Sequence, residues 1–253
     1  MENTELLHLI QTQGWILFES QLPKALTQVL SQALDQAINR CADLQSELLG
    51  QVLPGTAHHL LGQGPVFQTL LEQAWLDQEL KVLLEGPYIL NSFGGVVNPP
   101  AESAYVHQIH RDQRTWMPDF RLMINLLVML DDFLPENGAT WLLSGSQNQP
   151  QPPSPEAFFA EAQQICAPAG SLLLFDSRLW HAAGQNTTNK VRRGLTLTWS
   201  RPFLKPQFDY LGQVNGSLSE HLKQILGEYS RVPATLEQWY LPSEQRFYRP
   251  GQG

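Results

Sequence analysis

Apolar residues recur at helical spacing in the first third of the chain. Pro23 suits the first turn of a helix, and Gly86-Pro87 provides a break after the last helical pattern. These signals predict a helical N-terminal cover over residues 1–85. The spacing predicts four helices, near residues 3–12, 24–39, 66–74 and 77–84.

From Tyr88 onward the pattern changes to short apolar runs separated by Gly, Pro, Asn and Asp, which is typical of strands and turns. This change predicts a β core over about residues 86–203, interrupted by a short helix over 155–164. Helical spacing returns in a C-terminal cap over 204–253. The pattern therefore predicts a single domain, residues 1–253, that is mainly β with helical cover.

Composition agrees with a globular chain and excludes several classes of protein. The 253 residues are 42% apolar and 16% charged, and a chain of this size can bury about three quarters of its unfolded surface. A net charge of -8 argues against non-specific nucleic-acid binding. Cys41 and Cys166 lack the spacing of a disulfide framework or zinc knuckle. We find no signal pattern or membrane-spanning apolar run, so we expect a cytoplasmic protein with no membrane partner, either monomer or dimer.

His110 and Asp112, with His181 far downstream, carry the strongest chemical signal. On a β-strand, residues two positions apart share a face, so His110 and Asp112 would hold one metal ion together. His181 from another strand would complete a two-histidine, one-carboxylate triad with open coordination positions, which suits non-haem Fe(II) oxygen chemistry. Alone, His-x-Asp is a weak signal, because most lone histidines are surface or hydrogen-bonded structural residues.

The segments around this pair carry a resemblance to a known family. In order, they are the apolar run 121–130, Asn137-Gly138-Ala139-Thr140, Pro168-Ala169-Gly170-Ser171, His181-Ala182-Ala183-Gly184 and Arg192-Arg193-Gly194. This order resembles the phytanoyl-CoA dioxygenase family of Fe(II)/2-oxoglutarate oxygenases. The resemblance is close over about residues 85–203. It is looser before them, through a strand at 14–17 followed by a helix.

The resemblance implies a fold and a set of ligands. The fold is a double-stranded β-helix, a cupin-like jelly roll with N-terminal helices packed on one sheet. His110, Asp112 and His181 match the iron ligands, and Arg192 matches the arginine that binds 2-oxoglutarate. Arginine suits this role because its planar fork can hold a carboxylate with two charge-assisted hydrogen bonds. Arg193 is a competitor, but strand neighbours point to opposite faces, and the family spacing selects Arg192.

Three further residues match cosubstrate contacts in some relatives: Gln108, Thr140 and Asn91. Gln108 shares the predicted strand face of the two ligands, and Thr140 ends the Asn-Gly-Ala-Thr segment. Each side chain can donate a hydrogen bond to a carboxylate oxygen. For Gln108 and Thr140, a hydrogen-bonded polar residue lining the barrel is an equal alternative. For Asn91, ordinary turn chemistry is the favoured interpretation.

The activity that the resemblance implies is oxidation of a small organic molecule, with Fe(II) as the metal and 2-oxoglutarate and dioxygen as cosubstrates. Hydroxylation of an unactivated C–H bond, with release of succinate and carbon dioxide, is the simplest outcome. Halogenating relatives carry a small residue at the position of Asp112, so Asp112 favours hydroxylation. The chain departs from the family at Gln147, where many members have a histidine that is not an iron ligand.

Two alternative functions stay open at this point. One is a cupin-like metal enzyme that uses the same triad without 2-oxoglutarate, against which Arg192 argues. The other is a 2-oxoglutarate-binding barrel that turns over slowly or acts on a protein partner. The residues do not identify the primary substrate, and a family name that mentions an acyl-CoA does not establish one.

Overall fold

The computed structural model describes residues 1–100, 105–214 and 216–252. Within these ranges, the helices are α1 (Asn3–Thr12), α2 (Lys24–Leu49), α3 (Pro65–Glu72), α4 (Asp77–Leu83), α5 (Pro155–Glu161), α6 (Glu220–Ile225) and α7 (Leu236–Trp239). The strands are β1 (Trp15–Phe18), β2 (Thr56–His58), β3 (Ile89–Asn98), β4 (Met123–Met129), β5 (Thr140–Leu142), β6 (Gln163–Ile165), β7 (Leu172–Asp176), β8 (His181–Ala182) and β9 (Arg192–Ser200).

The strands form two antiparallel sheets. The major sheet has the order β1-β7-β4-β9-β3-β2, and the minor sheet has the order β6-β5-β8. Side chains from both sheets meet in one apolar group, which we call the interior cluster. Its members are Leu127, Met129, Phe133, Ala139, Leu142, Ile165, Ala167, Leu173, Phe175 and Leu179. The mainly β jelly roll that the sequence predicted is confirmed.

Strand β4 shows how the two faces of the major sheet are used. Leu126 and Val128 pack in the core that the helices cover, whereas Leu127 and Met129 belong to the interior cluster. Because both faces of the strand are buried, its sequence is apolar except for Asn125 instead of alternating. The same alternation of direction along β9 decides which of its polar side chains face the barrel interior.

The N-terminal helices pack on the outer face of the major sheet, as predicted. Leu30 and Leu34 of α2 are fully buried in the core beneath the helices. Gly95 of β3 permits this approach, because a Cβ atom there would collide with the side chain of Leu34. A glycine within this strand therefore sets the distance between the sheet and the helical cover.

Two helices differ from their predicted lengths. Helix α2 continues to Leu49, because no strong helix breaker occurs before Gly50, which ends it in the left-handed conformation. Helix α5 ends at Glu161, because the following residues form β6 and pair with β5. No helix in the described part of the chain is long and apolar enough to cross a membrane. The proposed division into cover, core and cap stays a prediction.

Candidate metal centre

The segment that carries His110 and Asp112 is not a β-strand, so this part of the sequence prediction was wrong. His110 forms a single antiparallel bridge with His181, in which each backbone N–H donates to the other's carbonyl at 3.0 and 2.9 Å. Beyond the bridge, the N–H of Gln113 donates to the Ser177 carbonyl at 2.8 Å. The polar run from 110 to 114 has no apolar alternation that would hold a longer ladder on the barrel.

The three predicted ligands nevertheless converge. One potential ligand atom from each of His110, Asp112 and His181 lies within 4.8 Å of the others. The two carboxylate oxygens of Asp112 lie 3.7 Å from His110 Nε2 and 3.7 Å from His181 Nε2. The imidazole ring centroids are 4.2 Å apart. Two imidazoles and one carboxylate at these distances form a group that could hold a metal ion.

Hydrogen bonds select the imidazole tautomer that such a site needs. His110 Nδ1 lies 2.8 Å from the carbonyl oxygen of Gln108, and His181 Nδ1 lies 3.0 Å from that of Leu179. Because a carbonyl oxygen only accepts, each Nδ1 carries the proton and donates. Each Nε2 therefore presents its lone pair toward Asp112, the arrangement found in metal-ligating histidines.

The two histidines differ in exposure. The side chain of His181 is buried, whereas that of His110 is 30% exposed and that of Asp112 is 40% exposed. Burial lowers the pKa of His181, the neighbouring His110 lowers it further, and Asp112 and the Leu179 carbonyl act in the opposite direction. A lowered pKa keeps His181 neutral, which is the form that binds metal.

Arg192 lies at the start of β9 and is almost completely buried. Its Nη2 donates to the Gly138 carbonyl at 2.9 Å, and its guanidinium carbon lies 4.3 Å from the centre of the Phe133 ring. Its Nε is buried without a hydrogen-bond partner among the described residues. Burial lowers the pKa of Arg192 to about 10, with Asp131 acting in the opposite direction, so the side chain stays cationic at neutral pH.

Arg193 points to the opposite face of the sheet, as alternation requires. Its guanidinium forms a two-pronged ion pair with Asp35 of α2, at 2.8 and 2.9 Å, and also contacts Asp131 at 3.3 Å. These ion pairs give Arg193 a structural role, which joins β9 to α2. Of the two neighbouring arginines, only Arg192 faces the barrel interior.

The interior cluster connects Arg192 with the histidines. Phe133, beside Arg192, and Phe175, whose ring centroid lies 5.1 Å from that of His181, both belong to it. Thr196, on the same face of β9 as Arg192, is exposed although it lies in the middle of a central strand. This exposure means that solvent reaches the inner face of the sheet between Arg192 and the strand's far end.

The structure places Gln108, Thr140 and Asn91 in three different settings. Gln108 is exposed and lies outside regular structure, so its predicted strand-face relation to the ligands was wrong. Thr140 is buried on β5. Asn91 donates to Ser200 Oγ and to a backbone carbonyl, both at 3.3 Å. Ser200 is eight residues from Arg192 along β9, or roughly 26 Å. The cosubstrate roles of all three stay predictions, and the geometry lends Asn91 no support.

Gln147 contacts the end of the first helix. It is buried, and its side-chain amide donates to the Gln11 carbonyl at 2.9 Å, near the end of α1. The departure from the family at this position therefore affects how α1 is anchored. The predicted ligand set does not depend on it.

Sequence reasoning missed two sets of contacts that the ligand-bearing segment makes. Asn125 on β4 donates a hydrogen bond to Asp112. Arg111 lies between two tryptophan rings, with its guanidinium carbon 5.1 Å from the centre of Trp116 and 5.0 Å from that of Trp180. The signal for Asn125 was present, because it is the only polar residue in β4. The contact between Arg111 and Trp180 joins residues far apart in sequence and left no such signal.

The chain is similar in sequence to one protein family and to several individual proteins. The model of the family described as phytanoyl-CoA dioxygenase (PhyH) matches residues 13–194. An uncharacterized protein of Mycobacterium tuberculosis is 34% identical over 176 residues, which cover 67% of this chain and 63% of that protein. A dioxygenase of Penicillium canescens is 40% identical over 80 residues, covering 30% of this chain and 25% of that protein. The matched part thus spans less than two thirds of these relatives.

Solved structures share the fold at low sequence identity. AviO1 from Streptomyces viridochromogenes is 20% identical with a TM-score of 0.65, over 81% of this chain and 97% of that one. EctD from S. alaskensis, solved with 2-oxoglutarate and 5-hydroxyectoine, is 18% identical with a TM-score of 0.66, over 79% of this chain and 76% of that one. At these identities the likeness establishes the fold alone.

Proposed function

The chain belongs to the phytanoyl-CoA dioxygenase family, and from this premise we propose that it is an Fe(II)- and 2-oxoglutarate-dependent oxygenase. Its reaction is hydroxylation of an unactivated C–H bond in a small organic molecule. The observation that carries the proposal is the convergence of His110, Asp112 and His181 in a barrel that also buries Arg192. The family comparison and the donor set support the same class independently.

The donor set suits ferrous iron. Two neutral imidazoles and one carboxylate on one side of a metal are the ligands of non-haem Fe(II) oxygenases, and they leave positions open on the other side. In this chain, His110 and His181 already direct Nε2 toward Asp112, because backbone carbonyls hold both Nδ1 protons. The protein therefore need not reorient either ring to bind the ion.

Arg192 suits the distal carboxylate of 2-oxoglutarate. Among the described residues, the buried Arg192 guanidinium contacts no carboxylate and its Nε has no hydrogen-bond partner, which is costly unless a ligand supplies the missing acceptors. A carboxylate can supply two, through charge-assisted hydrogen bonds. The Phe133 ring makes a cation–π contact with the Arg192 guanidinium and leaves its N–H donors free for a ligand. This unmet demand favours 2-oxoglutarate use over the cupin-like alternative.

When bound, Fe(II), 2-oxoglutarate and dioxygen supply oxidative decarboxylation to succinate and carbon dioxide, and the oxidation of a substrate C–H bond. The chain's own part is to hold and shield these groups. His110, Asp112 and His181 bind the metal, and Arg192 orients the cosubstrate. Phe175, packed edge-on to the His181 ring, keeps that side of the site apolar and excludes water. Asp112 occupies the position that a halide would need, which favours hydroxylation over halogenation.

The test is an anaerobic titration of 2-oxoglutarate into Fe(II)-loaded protein. We expect the weak visible charge-transfer band that arises when the cosubstrate chelates ferrous iron, and its loss in His181→Ala. Arg192→Met should shift the titration to much higher 2-oxoglutarate, whereas Arg193→Met, a matched change on the opposite sheet face, should leave it in place. Absence of the band from metal-loaded wild-type protein would favour the cupin-like enzyme instead.

Succinate release distinguishes the remaining alternative. A small-molecule oxygenase should release succinate continuously when a suitable substrate is present, with one hydroxylated product formed per succinate. A slow or protein-directed barrel should show the band but little turnover with any small molecule. The same assay in the presence of chloride tests the preference for hydroxylation, because a halogenated product would contradict the role given to Asp112.

A further inference from the structure

Asp112 is the least supported of the three proposed ligands. It lies in an irregular segment, its side chain is 40% exposed, and no strand pairing fixes its backbone. His181, by contrast, lies on β8, and His110 is bridged to it. An aspartate in this position samples several rotamers unless a neighbour restrains it. The carboxylate therefore needs a partner from a rigid part of the barrel.

We propose that Asn125 is the positioning residue that orients the Asp112 carboxylate toward the two imidazoles before a metal ion binds. Asn125 Nδ2 donates to Asp112 Oδ2 at 2.5 Å. The inference rests on the proposed metal triad but not on the reaction that the metal supports. In this proposal Asn125 acts on the metal site through its hydrogen bond to Asp112.

The orientation of the Asn125 amide follows from its partners. An ionised carboxylate only accepts hydrogen bonds, so the amide NH₂ faces Asp112. The amide oxygen then accepts from Ser177 Oγ at 2.8 Å and from Thr198 Oγ1 at 3.1 Å. Two hydroxyl donors on one side and a carboxylate acceptor on the other leave the amide a single favourable orientation. Asn125 therefore presents a fixed donor to Asp112.

Asn125 has the rigidity that Asp112 lacks. It is 4% exposed and lies in β4, where it pairs with Phe175 of β7 and Thr198 of β9. A residue in a central strand that is paired with a neighbouring strand on each side cannot shift without distorting the sheet. The hydrogen bond thus transfers the geometry of the major sheet to a carboxylate on an irregular segment.

A purely structural role is the competing explanation, because a buried asparagine also satisfies the hydroxyls of Ser177 and Thr198. The two explanations predict different consequences. A structural residue affects the melting temperature alone, whereas a positioning residue affects metal affinity in protein that stays folded. Asn91 is the matched control, since it is a buried asparagine of the same sheet whose amide contacts Ser200 and a backbone carbonyl instead of Asp112.

The first experiment measures Co(II) affinity and the visible Co(II) spectrum in the absence of 2-oxoglutarate and oxygen. We expect Asn125→Leu to raise the Kd about 10- to 100-fold. Asn91→Leu should bind Co(II) with wild-type affinity, and melting curves should show both variants folded. Wild-type affinity in folded Asn125→Leu protein would overturn the proposal. So would equal weakening in the two variants.

A double variant keeps the proposal testable when Asn125→Leu does not fold. Ser177→Ala combined with Thr198→Val retains Asn125 but removes both hydroxyls that fix its amide. We expect a smaller rise in the Co(II) Kd, because the amide can still reach Asp112 but is free to rotate. An unchanged Kd in this folded double variant contradicts the proposed chain of hydrogen bonds.

Formate provides a readout that a structural role would not affect. In Asp112→Ala, added formate should restore part of the Co(II) affinity, because Asn125 still offers its donor where the carboxylate belongs. The same formate should have no effect in Asp112→Ala combined with Asn125→Leu. Equal rescue in the single and double variants would show that Asn125 does not position the carboxylate. Since neither assay involves turnover, a failure here is distinct from a failure of the oxygenase proposal.

Discussion

The metal end and the arginine end of this site are built in different ways. At the metal end, His110 and Asp112 lie on an irregular, partly exposed segment that a few backbone hydrogen bonds and a side-chain contact from Asn125 hold in place. At the other end, Arg192 lies on a regular strand, is buried, and directs its guanidinium over an aromatic ring. The strand pairing of β9 positions Arg192, whereas a hydrogen bond from another side chain positions the Asp112 carboxylate. Substitutions should affect the two ends differently.

Removing the carboxylate tests the metal end most severely. Asp112→Ala should abolish coupled turnover, because two imidazoles alone hold ferrous iron weakly. The fold should persist, since the side chain is 40% exposed. Succinate release and a melting curve check the two parts. The control is Asp119→Ala, which removes an exposed carboxylate from the same irregular stretch. Wild-type turnover in Asp112→Ala would remove this residue from the ligand set.

Removing the guanidinium tests the arginine end. Arg192→Met should weaken 2-oxoglutarate binding by about 2–5 kcal/mol, the usual cost of losing one partner of a buried, hydrogen-bonded charge pair. Metal affinity should stay near that of the wild type, because the ligands lie elsewhere. Arg193→Met is the control and should instead lower stability by loss of its ion pairs with α2 and Asp131. If both variants need the same excess of 2-oxoglutarate, the assignment of Arg192 fails.

Arg111 offers a milder way to loosen the metal end. Arg111→Met removes two stacking contacts, with Trp116 and Trp180, worth about 0.5–1 kcal/mol each at partly exposed sites. At roughly 2–4 °C per kcal/mol for a chain of this size, the melting temperature should fall by a few degrees. Arg114→Met, which changes an exposed arginine nearby, should not alter it. An equal fall in both variants would mean that the stack contributes nothing specific.

The smallest effect concerns pH. Burial lowers the pKa of Arg192 to about 10, so its charged form costs stability in full below that pH, and this cost shrinks as the pH rises from about 10 toward the ordinary pKa of arginine. Binding of 2-oxoglutarate needs the charge and has the opposite dependence. Its Kd should be nearly constant from pH 7 to pH 9 and rise above about pH 10. Isothermal titration across this range checks the sign. A loss of affinity below pH 8 would implicate another group.

The sequence predictions were correct where the structure depends on residues close together in the chain. The change of pattern after Tyr88 correctly indicated a β core, and the apolar run at 121–130 contains β4, whose two faces are both buried. Alternation along β9 also separated Arg192 from Arg193, since that rule needs only the backbone. The strand predicted at His110 and Asp112 was wrong, because a short polar segment gains no burial from pairing along its whole length.

Local periodicity alone indicated a mainly β chain with helical cover, and strand alternation showed that only one of Arg192 and Arg193 can face inward. The resemblance to a known family supplied the jelly-roll fold, the predicted ligands and the choice of Arg192. Only the tertiary structure decided how Asp112 reaches the histidines, which carbonyls fix their tautomers, and that Asn125 contacts the carboxylate. These relations join residues far apart in the chain. Their distances arise when the two sheets close, and no pattern within one segment encodes them.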